Sequence, residues 1–486
     1  MERTKSLILL IWFIMLNVSF LFEVDGSKTK SKGKYKYKLI HRHSPELGGH
    51  PKATLGPPID GRQRIKQLVR SDYARYRAFQ RMLKRPGRKT FEQMSPKHGL
   101  VELAMRSAAD LGAGQYFISM RIGSPPKKFL MLVDTGSDLT WIKCRNKCSN
   151  CRIGGKKRKK KKMRFYHPNE SRTYRPIPCS SSYCSTELMP FNSLTDCPTP
   201  DSACRYSTEY VDGQRVSGTF VNDTITIKMR GHKKVKLENM TIGCSESLIS
   251  QTFKLDGLLG LGCIVQSFTG QAVKESEKKF CYCLVDHLSP SNLSSYLVFG
   301  NEDNQLLNIQ ETELLLGAWY WSTNYHVNVS GISLDGKMLD IPSDVWLYDP
   351  RTRQGGMILD TGTSLTVLAA PAYDKVMEGL FPSISRFPKL TRNWPGQTPG
   401  HCFNSTGFKE TMVPRLAIHF ADGAKFEPPV KSYVIDEQIG MKCLGFIRFD
   451  PLAGSIIGNI LQQNHYWEFD IWNQKLRFAP ARCTFD

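Results

Sequence analysis

Two copies of one short pattern constrain this chain more than anything else in it. From Met131 the sequence reads MLVDTGSDLTWIKC and from Met357 it reads MILDTGTSLTVL, so Asp134 and Asp360 occupy matched positions 226 residues apart. In each copy an apolar run ends in aspartate, followed by Thr-Gly and then Ser or Thr. One Asp-Thr-Gly is a common strand-to-turn junction, but a matched pair is hard to assign to chance. The repeat also extends further. DGLLGLG (Asp256 to Gly262) follows the first copy by about 120 residues, and GSIIGN (Gly454 to Asn459) follows the second by about 95. Two halves with the same order of motifs predict two similar lobes about a pseudo-twofold axis, with the two loops meeting there.

From Gln115 onward the texture is β. QYFISMRIG and FLMLVDTG flank the turn SPPKK, while TFVNDTITIKM and YHVNVSGISLDGKMLDI alternate with a period near two. Asp335-Gly336 marks a hairpin turn. Helical stretches are few, chiefly near Pro371 to Leu380. The expected body is all-β and bilobal, with residues 106–305 as the first lobe and 306–486 as the second.

The formal charge of +23 is unevenly placed. Residues 27–100 hold 20 Lys/Arg against 4 Asp/Glu, and Arg152 to Arg164 (RIGGKKRKKKKMR) adds nine positive charges. Without that run, residues 101–486 come to −1, so nucleic acid is not an expected partner. At the N-terminus, Arg3 and Lys5 precede sixteen mostly apolar residues, Leu7 to Phe22. That is short for a membrane span of about 20 and suits a secretory signal over residues 1–26; an uncleaved anchor is the alternative. Fourteen cysteines, all after Gly26, fit an oxidising compartment. So do six glycosylation sequons that follow the signal, at Asn169, Asn222, Asn239, Asn292, Asn328 and Asn404. The expected destination is outside the cell, with the vacuole as the other route of the secretory pathway.

Between the signal and the β body, Ile65, Leu68, Val69, Tyr73, Tyr76, Phe79, Met82 and Leu83 recur at steps of three and four, which predicts a basic amphipathic helix stopped by Pro86-Gly87. Residues 27–105 read as a removable prosegment acting as the protein's own inhibitor, with a new N-terminus between Ala104 and Gly114. A permanent membrane-surface helix is the competing reading.

Two carboxyl groups about 3 Å apart cannot both ionise near neutral pH, so they share a proton. One then serves as general base on a trapped water while the other polarises a scissile carbonyl. Asp134 and Asp360 are the candidates for this dyad. Gly136 and Gly362 allow the tight turns, Thr135 and Thr361 can tie the loops across the axis, and Ser137 and Thr363 can orient the carboxylates.

The chain resembles pepsin-fold aspartic endopeptidases, specifically the nepenthesin-type plant group, from about Lys36 to the C-terminus. LIHRHSP resembles that group's prosegment motif, DTGSDLTWIKC with its clustered cysteines the first active-site loop, CRYSTEYVDGQRVSGTF the flap, and SIIGN with the following QQN the second lobe. The resemblance implies a monomeric, zymogen-derived acid protease acting on protein or peptide substrates without metal or cofactor. It assigns Asp134 and Asp360 as catalytic, Tyr210 as the flap tyrosine, and Trp141 as its hydrogen-bonding partner. The group usually has Gly after that tyrosine and Ser three further on; here they are Val211 and Gln214. Cys263 and Cys281 are additional to the group's usual twelve and are expected to pair. Cys179 with Cys184, and Cys402 with Cys443, are candidate bridges, and Cys283 and Cys483 are also assigned to bridges. Spacing leaves the connectivity open.

Other chemistries lack their motifs. Cys148 and Cys151 form a CxxC without a second pair at zinc-site spacing, GLLGLG lacks the lysine of a phosphate loop, and neither GxSxG nor HExxH occurs. The lysine-rich run is a candidate for acidic polysaccharide, against a solvated or trimmed loop. A catalytically silent binding or inhibitor protein of the same fold is the alternative function.

Overall fold

The structure is a computed structural model that describes residues 101–107, 116–145 and most of 164–483; within the latter it omits 189–195, 210–214, 229–233, 250–255, 273–278, 287–288, 290, 291–294, 301–305, 317–322, 350–353, 394–398, 439, 450 and 451–453. The signal, the amphipathic helix, the lysine-rich run, Cys148, Cys151, Tyr210 and Asn292 lie outside the described residues.

One antiparallel sheet runs through the molecule. Its order is Val101–Ser107, Ser295–Phe299, Lys279–Cys283, His465–Asp470, Lys475–Pro480, Gln310–Leu315. The central pairing joins the two halves, with Phe280 opposite Phe469 and Tyr282 opposite Trp467. The rings of Phe280 and Phe469 stack at 4.6 Å between centroids, so aromatic burial closes the seam between the halves.

Outward from that seam the two halves repeat each other. Val101–Ser107 pairs with Tyr116–Ile122, which pairs with the first motif strand, Lys127–Asp134. Gln310–Leu315 pairs with Tyr325–Val327, which pairs with the second, Met357–Asp360. Each motif strand then lies parallel to the apolar-glycine strand of its own half, and the register is the same: Asp134 opposite Gly260, Asp360 opposite Gly458. Both strands are buried throughout, which explains their unbroken apolar runs.

Glycine is required at the two register positions because another chain segment passes close by. A Cβ at Gly260 would lie 2.4 Å from the Asp138 carbonyl oxygen, and one at Gly458 would lie 2.3 Å from that of Leu365. The Asp335-Gly336 hairpin is present, with φ of 48° and 80°, and Leu334 pairs with Lys337 across it. The helix near Pro371 spans Ala370–Ile384 and buries Ala372, Tyr373, Val376, Met377 and Leu380, an apolar face at helical spacing.

The lobe boundary expected at 105/106 falls inside the strand Val101–Ser107. The expected cysteine pairing requires correction. Cys179 bridges Cys197 and Cys184 bridges Cys204, so the local Cys179–Cys184 pair is not formed. The helical turn Cys184–Leu188 carries Cys184 into a core with Cys204, Tyr206 and Trp141, while Cys179 stays near the surface beside Cys197. Cys263 and Cys281 keep their thiols. Phe280 turns its ring to Tyr325, whose hydroxyl reaches Leu261, so strand alternation points Cys281 away from the Cys263 side. The remaining described bridges are Cys144–Cys244, Cys283–Cys483 and Cys402–Cys443. Cys402 and Cys443 face each other across paired strands.

Candidate active site

Asp134 and Asp360 end their strands with 0% and 2% of their surface exposed. The residues around them form two matched sets. Gly136 N–H donates to Asp134 Oδ1 at 3.0 Å and Gly362 N–H donates to Asp360 Oδ1 at 2.8 Å. Ser137 Oγ donates to Asp134 Oδ2 at 2.6 Å, and Thr363 Oγ1 donates to Asp360 Oδ2 at 2.5 Å. One oxygen of each carboxylate is thus held by backbone and the other by a hydroxyl.

The two loops are tied across the axis by threonines. Thr135 N–H donates to Thr361 Oγ1 at 3.1 Å, and Thr361 N–H donates to Thr135 Oγ1 at 2.9 Å. Each hydroxyl in turn donates to a carbonyl of the opposite motif strand, Thr135 to Leu359 and Thr361 to Val133, both at 3.2 Å. Both threonines are fully buried, so these bonds work where no water competes for the donors.

Trp141 is 1% exposed and packs in a cluster with Leu139, Tyr206, Phe220 and Leu258. That cluster supports Arg205–Glu209, the strand leading to the segment that holds Tyr210. The sequons at Asn169, Asn239 and Asn328 are exposed, and those at Asn222 and Asn404 are partly buried. The Asn222 side chain accepts a bond from the Thr241 hydroxyl at 2.9 Å.

Three residues near the loops had no role in the sequence reading. Asn459 Nδ2 donates to the Thr361 carbonyl at 2.9 Å, bracing the second loop from the apolar-glycine motif. Its signal was the asparagine closing GSIIGN. Lys143, 2% exposed, lies near Asp256, and burial lowers its pKa to about 8 against the pull of that carboxylate. Asp138 follows the first motif where the second has Ser364, and burial raises its carboxyl to about 7, with Asp134's charge adding to the rise.

Similarity to known proteins follows the same two halves. Residues 116–301 match the family described as Xylanase inhibitor N-terminal, and residues 324–480 the one described as Xylanase inhibitor C-terminal. Aspartyl protease family protein 2 of Arabidopsis thaliana is 30% identical over 405 residues, covering 82% of this chain and 77% of that protein. Aspartic proteinase nepenthesin-1 of Nepenthes gracilis is 27% identical over 484 residues, covering 97% of this chain and 98% of that protein.

The chain belongs to the nepenthesin-type aspartic proteases.

This aspartic protease is an aspartic-type endopeptidase with the bilobal pepsin-like fold. Among solved structures it resembles edgp at a TM-score of 0.62 and 17% identity, covering 80% of this chain and 97% of that one. It also resembles soybean Basic 7S globulin, at 0.60 and 18%, covering 80% of this chain and 96% of that one. At these identities the likeness concerns the fold alone.

Proposed function

We propose that Asp134 and Asp360 form one proton-sharing dyad that hydrolyses peptide bonds of protein or peptide substrates. The observation that carries this reading is the reciprocal Thr135–Thr361 bonding, which sets the two aspartate loops against each other with matched hydroxyl and amide contacts. The ionised carboxyl takes a proton from water, whose oxygen attacks the substrate carbonyl carbon. The protonated carboxyl donates to the carbonyl oxygen; the tetrahedral diol then breaks its C–N bond as the first carboxyl passes the proton taken from water to the leaving nitrogen, while a diol hydroxyl re-forms the carbonyl and returns its proton to the second carboxyl. Because one proton must remain on the pair, hydrolysis belongs to acidic solution. Tyr210 serves as the flap tyrosine that closes over substrate, with Trp141 as its hydrogen-bonding partner.

The enzyme is made as a secreted, glycosylated zymogen and acts as a monomer, in the wall space or a vacuole. Its basic prosegment lays cations against carboxylates that acid later protonates, which releases it. The strand Val101–Ser107 holds a place in the central sheet equivalent to that of Gln310–Leu315, so the cut that frees the enzyme lies at or before Val101. The lysine-rich run from Arg152 to Arg164 supplies affinity for acidic polysaccharide.

The competing reading is a silent binding protein, a role suggested by the xylanase-inhibitor descriptions of the matching families. Both aspartates and all of their supporting contacts speak against it. Cleavage of an acid-denatured protein, blocked by a statine-type transition-state mimic, tests the choice. Failure to cleave at any pH between 2 and 7, after prosegment removal, would favour the binding protein.

A further inference from the structure

Asp138 sits where the first catalytic loop meets the other half of the molecule. Its carbonyl oxygen crowds Gly260, and its Oδ1 lies 2.1 Å from where a Cβ on Gly262 would be. That glycine donates its N–H to Ser137 O at 2.9 Å, which holds the carboxyl group against the backbone of residues 260–262. Among the described residues Oδ1 is sealed from solvent and has no hydrogen-bond partner. The Thr323 hydroxyl bonds the same carboxyl group.

Residues 261–263 are themselves clasped to residues 323–325 of the other half. Cys263 N–H donates to Thr323 O at 3.0 Å, and the Tyr325 hydroxyl donates to Leu261 O at 2.6 Å. The Cys263 thiol lies 3.9 Å from Asn324 O. Asp138 therefore lies inside a contact between the halves, four residues from Asp134. The groups facing it are the Asp134 carboxyl, the Cys263 thiol, the Tyr325 phenol and the Thr323 hydroxyl, none of them cationic.

A neutral carboxyl fits this place because it carries no charge to solvate, although the Thr323 hydroxyl pulls the other way. An ionised one fits poorly, because one oxygen has no donor and a second carboxylate stands nearby. The C-half counterpart, Ser364, carries no ionisable group, so the asymmetry belongs to the first loop.

We propose that Asp138 is a positioning residue for the dyad: its neutral carboxyl keeps the first catalytic loop seated on the clasp between the halves, and its ionisation unseats that loop and ends activity on the neutral side. The proposal rests on the dyad reading, and it makes the neutral limb of the pH profile the property of a third carboxyl.

The sign follows from burial. Asp138 titrates at about 7 in the folded chain and near 3.8 when exposed. The folded state therefore holds a proton that the unfolded state has lost, and the stabilisation is complete below the lower value. It fades as pH rises to the upper value.

The test compares pH profiles of peptide hydrolysis for the mature enzyme, Asp138→Asn and Thr323→Val. Asparagine keeps the shape and cannot ionise, so the descending limb should move up by about one pH unit. Valine removes the hydroxyl that favours the ionised form, so its limb should also move up. A limb of Asp138→Asn that overlays the parent's overturns the proposal. Should that variant not fold, an unmoved or lowered limb in Thr323→Val overturns it instead. A second arm measures Tm against pH in an Asp360→Ala background, where turnover is not the readout. There the added Asp138→Asn should gain Tm relative to its parent as pH rises from 4 to 7; a difference that does not change with pH overturns the proposal. Persistent hydrolysis by Asp360→Ala would refute the dyad reading alone, which keeps the two failures apart.

Discussion

Thr135 and Thr361 hold each other reciprocally: each backbone amide donates to the other's hydroxyl, at 3.1 and 2.9 Å, across 226 residues of sequence. This pair fixes the relative position of two loops that local structure alone could not bring together. Replacing either threonine by valine leaves a buried amide without its acceptor, at a cost of about 1–3 kcal/mol. The double variant should cost less than the sum, because both bonds share the same two residues. Urea unfolding of the three variants measures this, and strict additivity would mean the pair does not act as a unit.

Asp134→Ala and Asp360→Ala should each remove most turnover while preserving the fold. The double variant should be little slower than either single one, since neither carboxyl works alone. Circular dichroism and single-turnover rates on one peptide check both points; independent, multiplicative losses would contradict the dyad.

Peptide mapping without reduction should recover Cys179 joined to Cys197 and Cys184 joined to Cys204. It should find thiols at Cys263 and Cys281. Removing the Cys283–Cys483 bridge, which closes a span of 200 residues beside the central sheet, should cost about 2–5 kcal/mol. A mapped Cys179–Cys184 peptide would overturn the assignment.

The N-terminus of the active enzyme should fall at or before Val101, because Val101–Ser107 pairs with both Ser295–Phe299 and Tyr116–Ile122. Losing that strand would leave two unpaired edges in the central sheet. Mass spectrometry of the processed protein decides this, and a start between Ala104 and Gly114 would count against it.

His465 is buried against Phe426 and Trp467, and burial lowers its pKa from 6.5 to about 4. The unfolded chain therefore binds a proton that the folded chain refuses. The contribution to stability is complete above about 6.5 and is lost as pH falls toward 4, by up to about 3 kcal/mol. His465→Gln should gain Tm relative to the parent as pH falls over that interval. An unchanged slope would show that another group controls acid stability there.

Much of this protein could be read from local patterns. Alternation between residues 116 and 134, the Asp335-Gly336 turn and the helix after Ala369 each depend on a few neighbouring residues, and the matched motifs at Asp134 and Asp360 announce the twofold arrangement. The strand Val101–Ser107 spans the expected boundary at 105/106, and its pairing was not legible because nothing in seven residues tells which sheet will accept them.

The sequence by itself determined the two-lobed β architecture and the residue types of the two matched loops, because hydrophobic periodicity and a repeated turn are short-range properties of the chain. Tertiary structure alone decided the bridges of Cys179 and Cys184, the burial of Lys143, and the place of Asp138 in the clasp at Thr323. Disulfide partners and carboxyl protonation depend on what segments far apart in the chain bring within a few ångströms, and on how much water they exclude.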